Sequence, residues 1–248
     1  PGATSATITG MVDEDLVVAG TFAQIGPEIV RVDTLNASTG ALTLGRGVIG
    51  TVATTHATDT RMFFRDTYTA VDQTEHVSGE TVNVKLTPRT GIGQLAEASA
   101  PANNVVMAQR ADRPYPPGRM RIAGLAYPTS LSNTVAAVTW SHRDRTQQNL
   151  QGDESTNIGP EASTTYTVEI SNADTSTVLV TSTGITGTSY TPALFAGTFN
   201  MEVRLWSVRS GLASAQAHSY TFAYTASVAS GVTLTATASM IAGSASGT

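Results

Sequence analysis

The sequence contains no cysteine in its 248 residues. Disulfide bonds, cysteine-ligated zinc, iron–sulfur clusters and thiol chemistry are therefore excluded, and the fold must be held by core packing or by assembly with neighbours. No run approaches the roughly 18 consecutive apolar residues of a membrane-spanning helix, so we expect no membrane span. The net charge is −5, and the basic residues are scattered along the chain, so we expect no nucleic-acid partner.

Charged residues are also scarce, at 13% of the sequence, which is about half of the usual share. Thr, Ser, Ala and Gly take their place, a composition typical of extended, turn-rich structure. Residues 1–110 consist of short apolar or alternating segments separated by turn residues, and they predict a small antiparallel β-barrel or sandwich in an all-β protein. The predicted strands are Asp15–Val18, Glu28–Val32, Ala41–Leu44, Arg61–Phe64 and Thr81–Thr87.

A second domain is predicted over residues 111–226, beginning at the stiff Pro-rich stretch Arg113–Gly118. Its apolar residues alternate with polar ones, which predicts strands that bury one face and an immunoglobulin-like sandwich. The four apolar stripes are Ala136/Val138/Trp140, Tyr166/Val168/Ile170, Phe199/Met201/Val203/Leu205 and Tyr220/Phe222/Tyr224. Residues 227–248, rich in Ala, Ser, Gly and Thr, are predicted to form a C-terminal arm with one strand at 232–236.

Residues 45–51, Gly-Arg-Gly-Val-Ile-Gly-Thr, spell the G-x-G-x-x-G pattern of dinucleotide-binding sites. In such a site the glycines end a strand and open a helix, whose N-terminus binds the pyrophosphate. Here the following residues are rich in Thr and Val and lack helical spacing. We therefore expect no cofactor and interpret the segment as a turn between strands. The residues assigned to this structural turn are Gly45, Arg46, Gly47, Gly50 and His56.

Candidate metal and catalytic residues form no recognisable constellation. The four histidines, at positions 56, 76, 142 and 218, lack the i, i+2 and i, i+4 spacings of paired ligands. The carboxylate runs Asp13–Asp15 and Asp153–Glu154 lack the oxygen order and glycine of a calcium loop, and we interpret them as solvated loop charge. No G-x-S-x-G elbow occurs. We therefore expect neither a metal site nor catalysis.

The second domain resembles a fibronectin type III module. Pro116–Pro117, the Trp140 strand and Tyr166–Ile170 stand in the order of that family, and so does Phe199–Val208 with the turn Arg209–Ser214. Phe199 stands where the family usually has tyrosine, so the tyrosine-corner hydrogen bond cannot form from that position. The resemblance implies a fold and not a function.

Two segments resemble the large tail-tip proteins of long-tailed phages and gene transfer agents. In the first domain, Glu28–Val32 followed by Arg46-Gly47, Gly50-Thr51 and His56 is similar to that family's acidic strand and "RG–GT–H" segment. The family's Gly-Ala after the histidine is Ala57-Thr58 here. In the second domain, Trp140–Gln148 is similar to its "W-x-H-R-D-R-x-x-Q" segment.

This resemblance implies a virion structural protein at the distal tail: a hub, baseplate or central-fibre subunit that is extracellular in the mature particle. The implied partners are other phage tail proteins, further copies in a trimer or hexamer, and a host surface receptor. The alternative is a secreted bacterial carbohydrate-binding or adhesion module with a type III spacer domain. That function needs an exposed aromatic platform, whereas aromatic residues make up only 6% of the chain and most lie in the inward stripes.

The polar segment between the Trp140 strand and the Tyr166 strand, residues 142–161, is longer than a sandwich turn requires. It is either a flexible surface insertion or a contact surface for a tail protein or receptor. Trp206 lies out of phase with its stripe and is expected to be exposed. The candidate contact residues are Arg143, Arg145, Gln147, Gln148 and Trp206.

Overall fold

A computed structural model describes residues 2–65, 73–147 and 152–227. The expected all-β fold is confirmed: in these ranges the regular structure is strands, apart from the short 3-10 helices Glu14–Leu16 and Glu97–Ser99. The predicted strand Asp15–Val18 is wrong, because the first of these helices occupies it. The predicted strand at 232–236 and nearly all of the predicted arm lie outside the described residues. No helix in the described ranges is long and apolar enough to cross a membrane.

The first domain is a five-stranded antiparallel sheet with the order β1-β4-β3-β2-β5. Its inward apolar side chains form one core cluster of Ala23, Val30, Val32, Leu42 and Leu44. Gly26-Pro27 closes the two-residue turn between β2 and β3, and Gly26 has the left-handed backbone (φ 54°) that such a turn requires. The strands are β1 (Ser5–Thr7), β2 (Phe22–Ile25), β3 (Glu28–Asn36), β4 (Ala41–Gly45) and β5 (Met62–Arg65).

A two-stranded ribbon, residues 77–107, follows the first sheet. β6 (Thr81–Lys85) pairs with β9 (Ala102–Val106), and the short β7 (Arg89–Thr90) and β8 (Gly93–Gln94) pair at its tip. The strand predicted over Thr81–Thr87 is shorter, because β6 ends at Lys85, and both Val84 on it and Leu86 just after it are exposed. The ribbon contributes no residue to the core cluster of the first domain.

The second domain is a two-sheet sandwich. One sheet has the order β10-β12-β15, and the other has the order β11-β18-β16-β13-β14 with β17 paired to β16. All pairings are antiparallel except β11 with β18. The strands are β10 (Gly118–Ile122), β11 (Ser130–Ser132), β12 (Val138–Ser141), β13 (Thr164–Asn172), β14 (Thr177–Ile185), β15 (Ser189–Tyr190), β16 (Gly197–Arg209), β17 (Leu212–Ala213) and β18 (His218–Ala226).

The four predicted apolar stripes meet between these sheets in a single cluster. Trp140 on one sheet packs against Tyr166 on the other, with ring centroids 5.4 Å apart. Only the outer members Phe199 and Tyr220 are partly exposed. The Tyr224 hydroxyl, on the strand beside Phe199, donates to the Phe195 carbonyl at 3.1 Å. The Tyr224 hydroxyl thus makes a hydrogen bond to the segment before β16, a bond that Phe199 cannot make because it has no hydroxyl.

Replacing Leu205 by alanine should lower the free energy of unfolding of the second domain by about 2–5 kcal/mol, because the side chain is fully buried and leaves a cavity. Urea unfolding followed by tryptophan fluorescence measures this directly, since both tryptophans, Trp140 and Trp206, lie in this domain. Leu125→Ala is the control, because Leu125 is 52% exposed. Equal losses for the two variants would contradict the assigned core.

Candidate functional site

Glu28, the first residue of β3, is fully buried and lies at the centre of a polar cluster. Its carboxylate accepts hydrogen bonds from Arg46 Nε at 2.8 Å and Arg46 Nη2 at 2.7 Å, a two-pronged pairing. The backbone amides of Gly47 and Thr54 donate to it at 2.9 and 3.0 Å. His56 Nε2 lies 2.8 Å away and must donate, because a carboxylate only accepts. The cluster therefore joins the acidic residue to the "RG" and "H" positions of the motif.

The donors come from residues 46–56, which contain no regular strand or helix and wrap around the carboxylate. Gly47 and Gly50 have left-handed backbone, with φ of 58° and 69°, and so does Ile49 between them. The Thr51 hydroxyl holds this turn by donating to the Val48 carbonyl at 2.7 Å. In a dinucleotide site such a glycine turn presents amides to a phosphate. Here the Gly47 amide binds the protein's own carboxylate.

Gly45 does not belong to this turn, which corrects its assignment as a turn residue. It ends β4 in extended backbone beneath the Arg31 guanidinium. A Cβ at this position would lie 2.9 Å from Arg31 Cζ. Glycine at this position lets the Arg31 guanidinium pack closely against the strand, and it is not needed for a left-handed conformation.

The electrostatics of the cluster favour the charged pair. Burial acts to raise the pKa of the Glu28 carboxyl, but the hydrogen bonds from Arg46, Thr54 and His56 and the charge of Arg46 together lower it. Burial acts to lower the pKa of Arg46, and its bonds to Glu28 outweigh that effect and raise it. Both groups are therefore charged at neutral pH, and each is the main reason that the other tolerates burial.

Arg143 connects this cluster to the second domain, and the structure corrects its assignment as a partner contact. The residue is 2% exposed, so it presents no surface to another molecule. Its Nη1 donates to the carbonyls of Gly47 at 2.8 Å and Thr51 at 3.3 Å. Its guanidinium lies 5.2 Å from the centre of the Tyr115 ring. Burial lowers the pKa of Arg143 to about 10, which leaves it charged at neutral pH.

Further bonds hold the two domains at the same junction. The Glu154 amide donates to the Arg46 carbonyl at 2.9 Å, and Asp153 accepts from Arg31 at 3.5 Å. The expectation of solvated loop charge at Asp153 and Glu154 is wrong, because both residues lie at the domain junction. Gln216 accepts from the Val52 amide at 2.8 Å and donates to the Pro27 carbonyl at 2.9 Å. Gln216 belongs to no motif, and no pattern in its neighbourhood predicts this role.

The remaining candidate contact residues lie in different surroundings. Arg145 is half-buried and pairs with Glu161 through its Nε at 3.0 Å. Gln147 is exposed, and Gln148 lies outside the described residues. Trp206 is half-exposed, with the Arg204 guanidinium 5.5 Å from its ring centre. Gln147 is therefore the exposed member of the described candidates, whereas Trp206 and Arg145 are partly exposed and Arg145 also forms an internal ion pair.

The four histidines have separate partners and do not converge. In the described ranges, no group of three or more His, Cys, Asp or Glu side chains could hold a metal ion. The histidine contacts are His56 with Glu28, His76 with Glu80, His142 with Tyr166 and His218 with the Pro117 carbonyl. The hydrogen bonds among residues 28, 46–56 and 143 hold one domain against the other.

No family model matches the chain, and no curated protein matches it either.

Glu28→Gln should destabilise the first domain by about 3 kcal/mol at pH 7, because it leaves the buried Arg46 without a counter-charge. The lowered pKa of Glu28 means that its contribution is fully present above the ordinary carboxyl value of 4.5 and is lost as the pH falls through the folded value. Calorimetry from pH 3 to pH 7 should show a smaller acid-side loss of stability in the variant than in the unmodified protein.

Glu154→Gln is the contrasting control in the same cluster. Its Oε2 is buried with no hydrogen-bond partner among the described residues. Burial, the largest effect, raises the pKa of Glu154, so ionisation costs stability as the pH rises through that value. The variant should therefore be as stable as the unmodified protein at pH 7 or more so. Equal destabilisation by both substitutions would contradict the roles assigned to the two carboxylates.

Gly50→Ala should loosen the domain junction as well as strain the turn. A Cβ at Gly50 would lie 2.8 Å from Tyr115 Cδ1, and that ring is held beneath Arg143. Gly26→Ala is the matched control, because Gly26 has similar left-handed backbone but nothing within 4 Å of the added atom. We expect a cost of about 1 kcal/mol for the control and a clearly larger one for Gly50→Ala.

Small-angle X-ray scattering and calorimetry distinguish these effects. Gly50→Ala should enlarge the radius of gyration and separate the unfolding of the two domains, and Gly26→Ala should do neither. Identical scattering and identical stability for the two variants would show that Tyr115 does not fix the junction.

Proposed function

We propose that this chain is a structural subunit of the distal tail of a long-tailed phage, acting in a tail-tip hub, baseplate or central fibre. In this proposal it lies in the virion, organises neighbouring tail proteins as a homo-oligomer, either a trimer or a hexamer, and takes no part in catalysis. Contact with a host surface receptor is the further part of the proposal. The second domain is the fibronectin type III-like module of such a subunit.

One observation supports this proposal above the others. The two segments that resemble tail-tip proteins lie about a hundred residues apart in the chain, yet Arg143 of the second donates to Gly47 of the first at 2.8 Å. The residues of the two segments thus bind each other inside the chain and hold the two β-domains together. A subunit that transmits force or position between neighbours needs that property, whereas a ligand-binding module needs its polar motif residues at a surface.

The absence of cysteine fits the same proposal. A small extracellular domain without disulfides depends on its core and on neighbouring subunits for stability. The buried Glu28–Arg46 pair and the Arg143 contact add internal ties that do not depend on the redox state of the surroundings. Such ties suit a protein that folds inside a cell and works outside it.

The proposal is tested on purified phage particles. Mass spectrometry should detect the chain in the particles, and immunogold labelling should place it at the tail end distal to the head. Deletion of the gene should give particles without a normal tail tip, and the unmodified gene should restore them. Particles of normal shape and infectivity that lack the chain would overturn the proposal.

Trp206→Ala separates assembly from host contact, because the side chain is half-exposed beside Arg204 and lies outside the core cluster. If the Trp206 surface contacts the host, particles should form normally and adsorb to cells at least about tenfold more slowly. Leu125→Ala, another exposed site in the same domain, should change neither property. Specific binding of the free chain to a bacterial polysaccharide, lost in Trp206→Ala and without any association with particles, would instead favour the secreted carbohydrate-binding module.

A further inference from the structure

The first domain carries an open groove between the two ends of its sheet. β1 and β5 are the outermost strands of the order β1-β4-β3-β2-β5, yet both line the same cleft of about 1250 Å³. The sheet is therefore curled like an incomplete barrel. We call this cleft the edge groove; its apolar lining includes Ala6, Ile8, Leu44, Met62 and Phe64.

The β1 side of the edge groove offers backbone groups for pairing. The Leu44 amide donates to Thr4 at 2.8 Å and the Ile8 amide donates to Gly40 at 2.9 Å. In an antiparallel pair these groups alternate along the strand, so those of Ser5 and Thr7 point away from β4. An edge with unpaired amides and carbonyls is a template for an added strand.

The ribbon, residues 77–107, is the complementary element. A two-stranded ribbon is marginally stable in water unless another surface covers it. Apolar side chains nevertheless project from this one: Ile92 at the tip is 100% exposed and Leu86 is 73% exposed. No described residue covers these side chains, so they are available for contact with another molecule.

The charges of the two surfaces are complementary. Glu14 and Asp59 line the edge groove, Asp13 and Asp15 flank it, and Arg61 is the basic residue among the exposed groups there. Residues 81–96 of the ribbon contain Lys85 and Arg89 and no acidic residue. Lys85 lies 3.9 Å from Glu97, which stands between the tip hairpin and β9, so these two charges offset each other. Arg89 therefore remains as the positive charge of the tip. A basic, apolar tip fits an apolar groove with an acidic rim.

We propose that the ribbon tip of one copy of this chain docks in the edge groove of a second copy. The two surfaces differ, so the contact is head-to-tail and each copy can both give and receive a ribbon. Such contacts close into a ring when the rotation between copies allows it, and a ring is the form that a tail requires. The inference rests on the proposed homo-oligomer and names the surfaces that build it.

Engineered disulfides test the contact directly, since the chain has no cysteine of its own. Ile92→Cys lies at the ribbon tip and Val12→Cys lies at the edge groove, and both side chains are exposed. Mixing full-length chains that carry one substitution each should give a disulfide-linked dimer on a non-reducing gel after mild oxidation. Val178→Cys, exposed on β14, replaces Val12→Cys in the control mixture and should give none.

Sedimentation of the full chain provides the second test. Ile92→Asp should raise the dissociation constant for self-association at least about tenfold, whereas Val178→Asp should leave it unchanged. Arg89→Glu and Glu14→Arg should each weaken association at low salt, and a chain carrying both should associate again. Ile92 is fully exposed, so loss of association cannot be ascribed to misfolding.

The outcomes separate this inference from the proposed function. Monomers at every concentration, or oligomers that survive Ile92→Asp and give no mixed disulfide, would overturn the ribbon contact. The presence of the chain at the tail tip would still stand on its own measurement. Cross-linking of Ile92→Cys copies to one another would show symmetric pairing of ribbons, which also contradicts the head-to-tail contact.

Discussion

The buried carboxylate of Glu28 is the constraint on which the junction of this protein depends. A charge without water must be surrounded by donors, and the donors here all come from residues 46–56. That requirement curls the segment around the end of β3 and explains the left-handed positions in its turn. Once curled, the segment turns the carbonyls of Gly47 and Thr51 toward the second domain, where Arg143 binds them.

The buried charge of Arg143 is stabilised by different groups from those that stabilise Arg46. Arg46 is neutralised by a two-pronged carboxylate, whereas Arg143 binds neutral carbonyls and lies over the Tyr115 ring. Carbonyl and ring contacts are weaker than a carboxylate but depend strongly on distance and direction. The contact therefore fixes the relative position of the domains more than it adds to their stability. It also depends on the Glu28 cluster, which holds the carbonyls in place.

The sequence predicted the fold where each strand could be judged alone. The alternating apolar residues of the second domain lie in its core, as predicted. A strand that is buried on one face alternates apolar and polar residues, so its burial can be predicted from its own sequence. The sequence pattern did not predict the burial of residues whose surroundings are set by segments distant in the chain. Arg143 lies in a polar segment, which predicts a surface position, but contacts with the first domain bury it. The contacts of Gln216 with the first domain likewise cannot be predicted from its neighbours in the sequence. The ribbon alternates like a core strand, but no second layer covers it among the described residues.

A consequence for assembly follows from where the polar motif residues lie. The side chains of Glu28, Arg46 and Arg143 and the backbone of Gly47 are buried and bonded inside the chain, so they are not available to bind partners. In the proposed tail subunit, the surfaces that meet neighbours would therefore lie among residues outside these motifs. The exposed apolar side chains of the ribbon and the open strand edge of the first domain satisfy that condition, because no residue in the described part of the chain covers either of them. The junction holds the first sheet, and with it the edge groove, at a fixed position relative to the second domain. In the proposed assembly, each copy would therefore present its groove in the same orientation to the ribbon of the next copy.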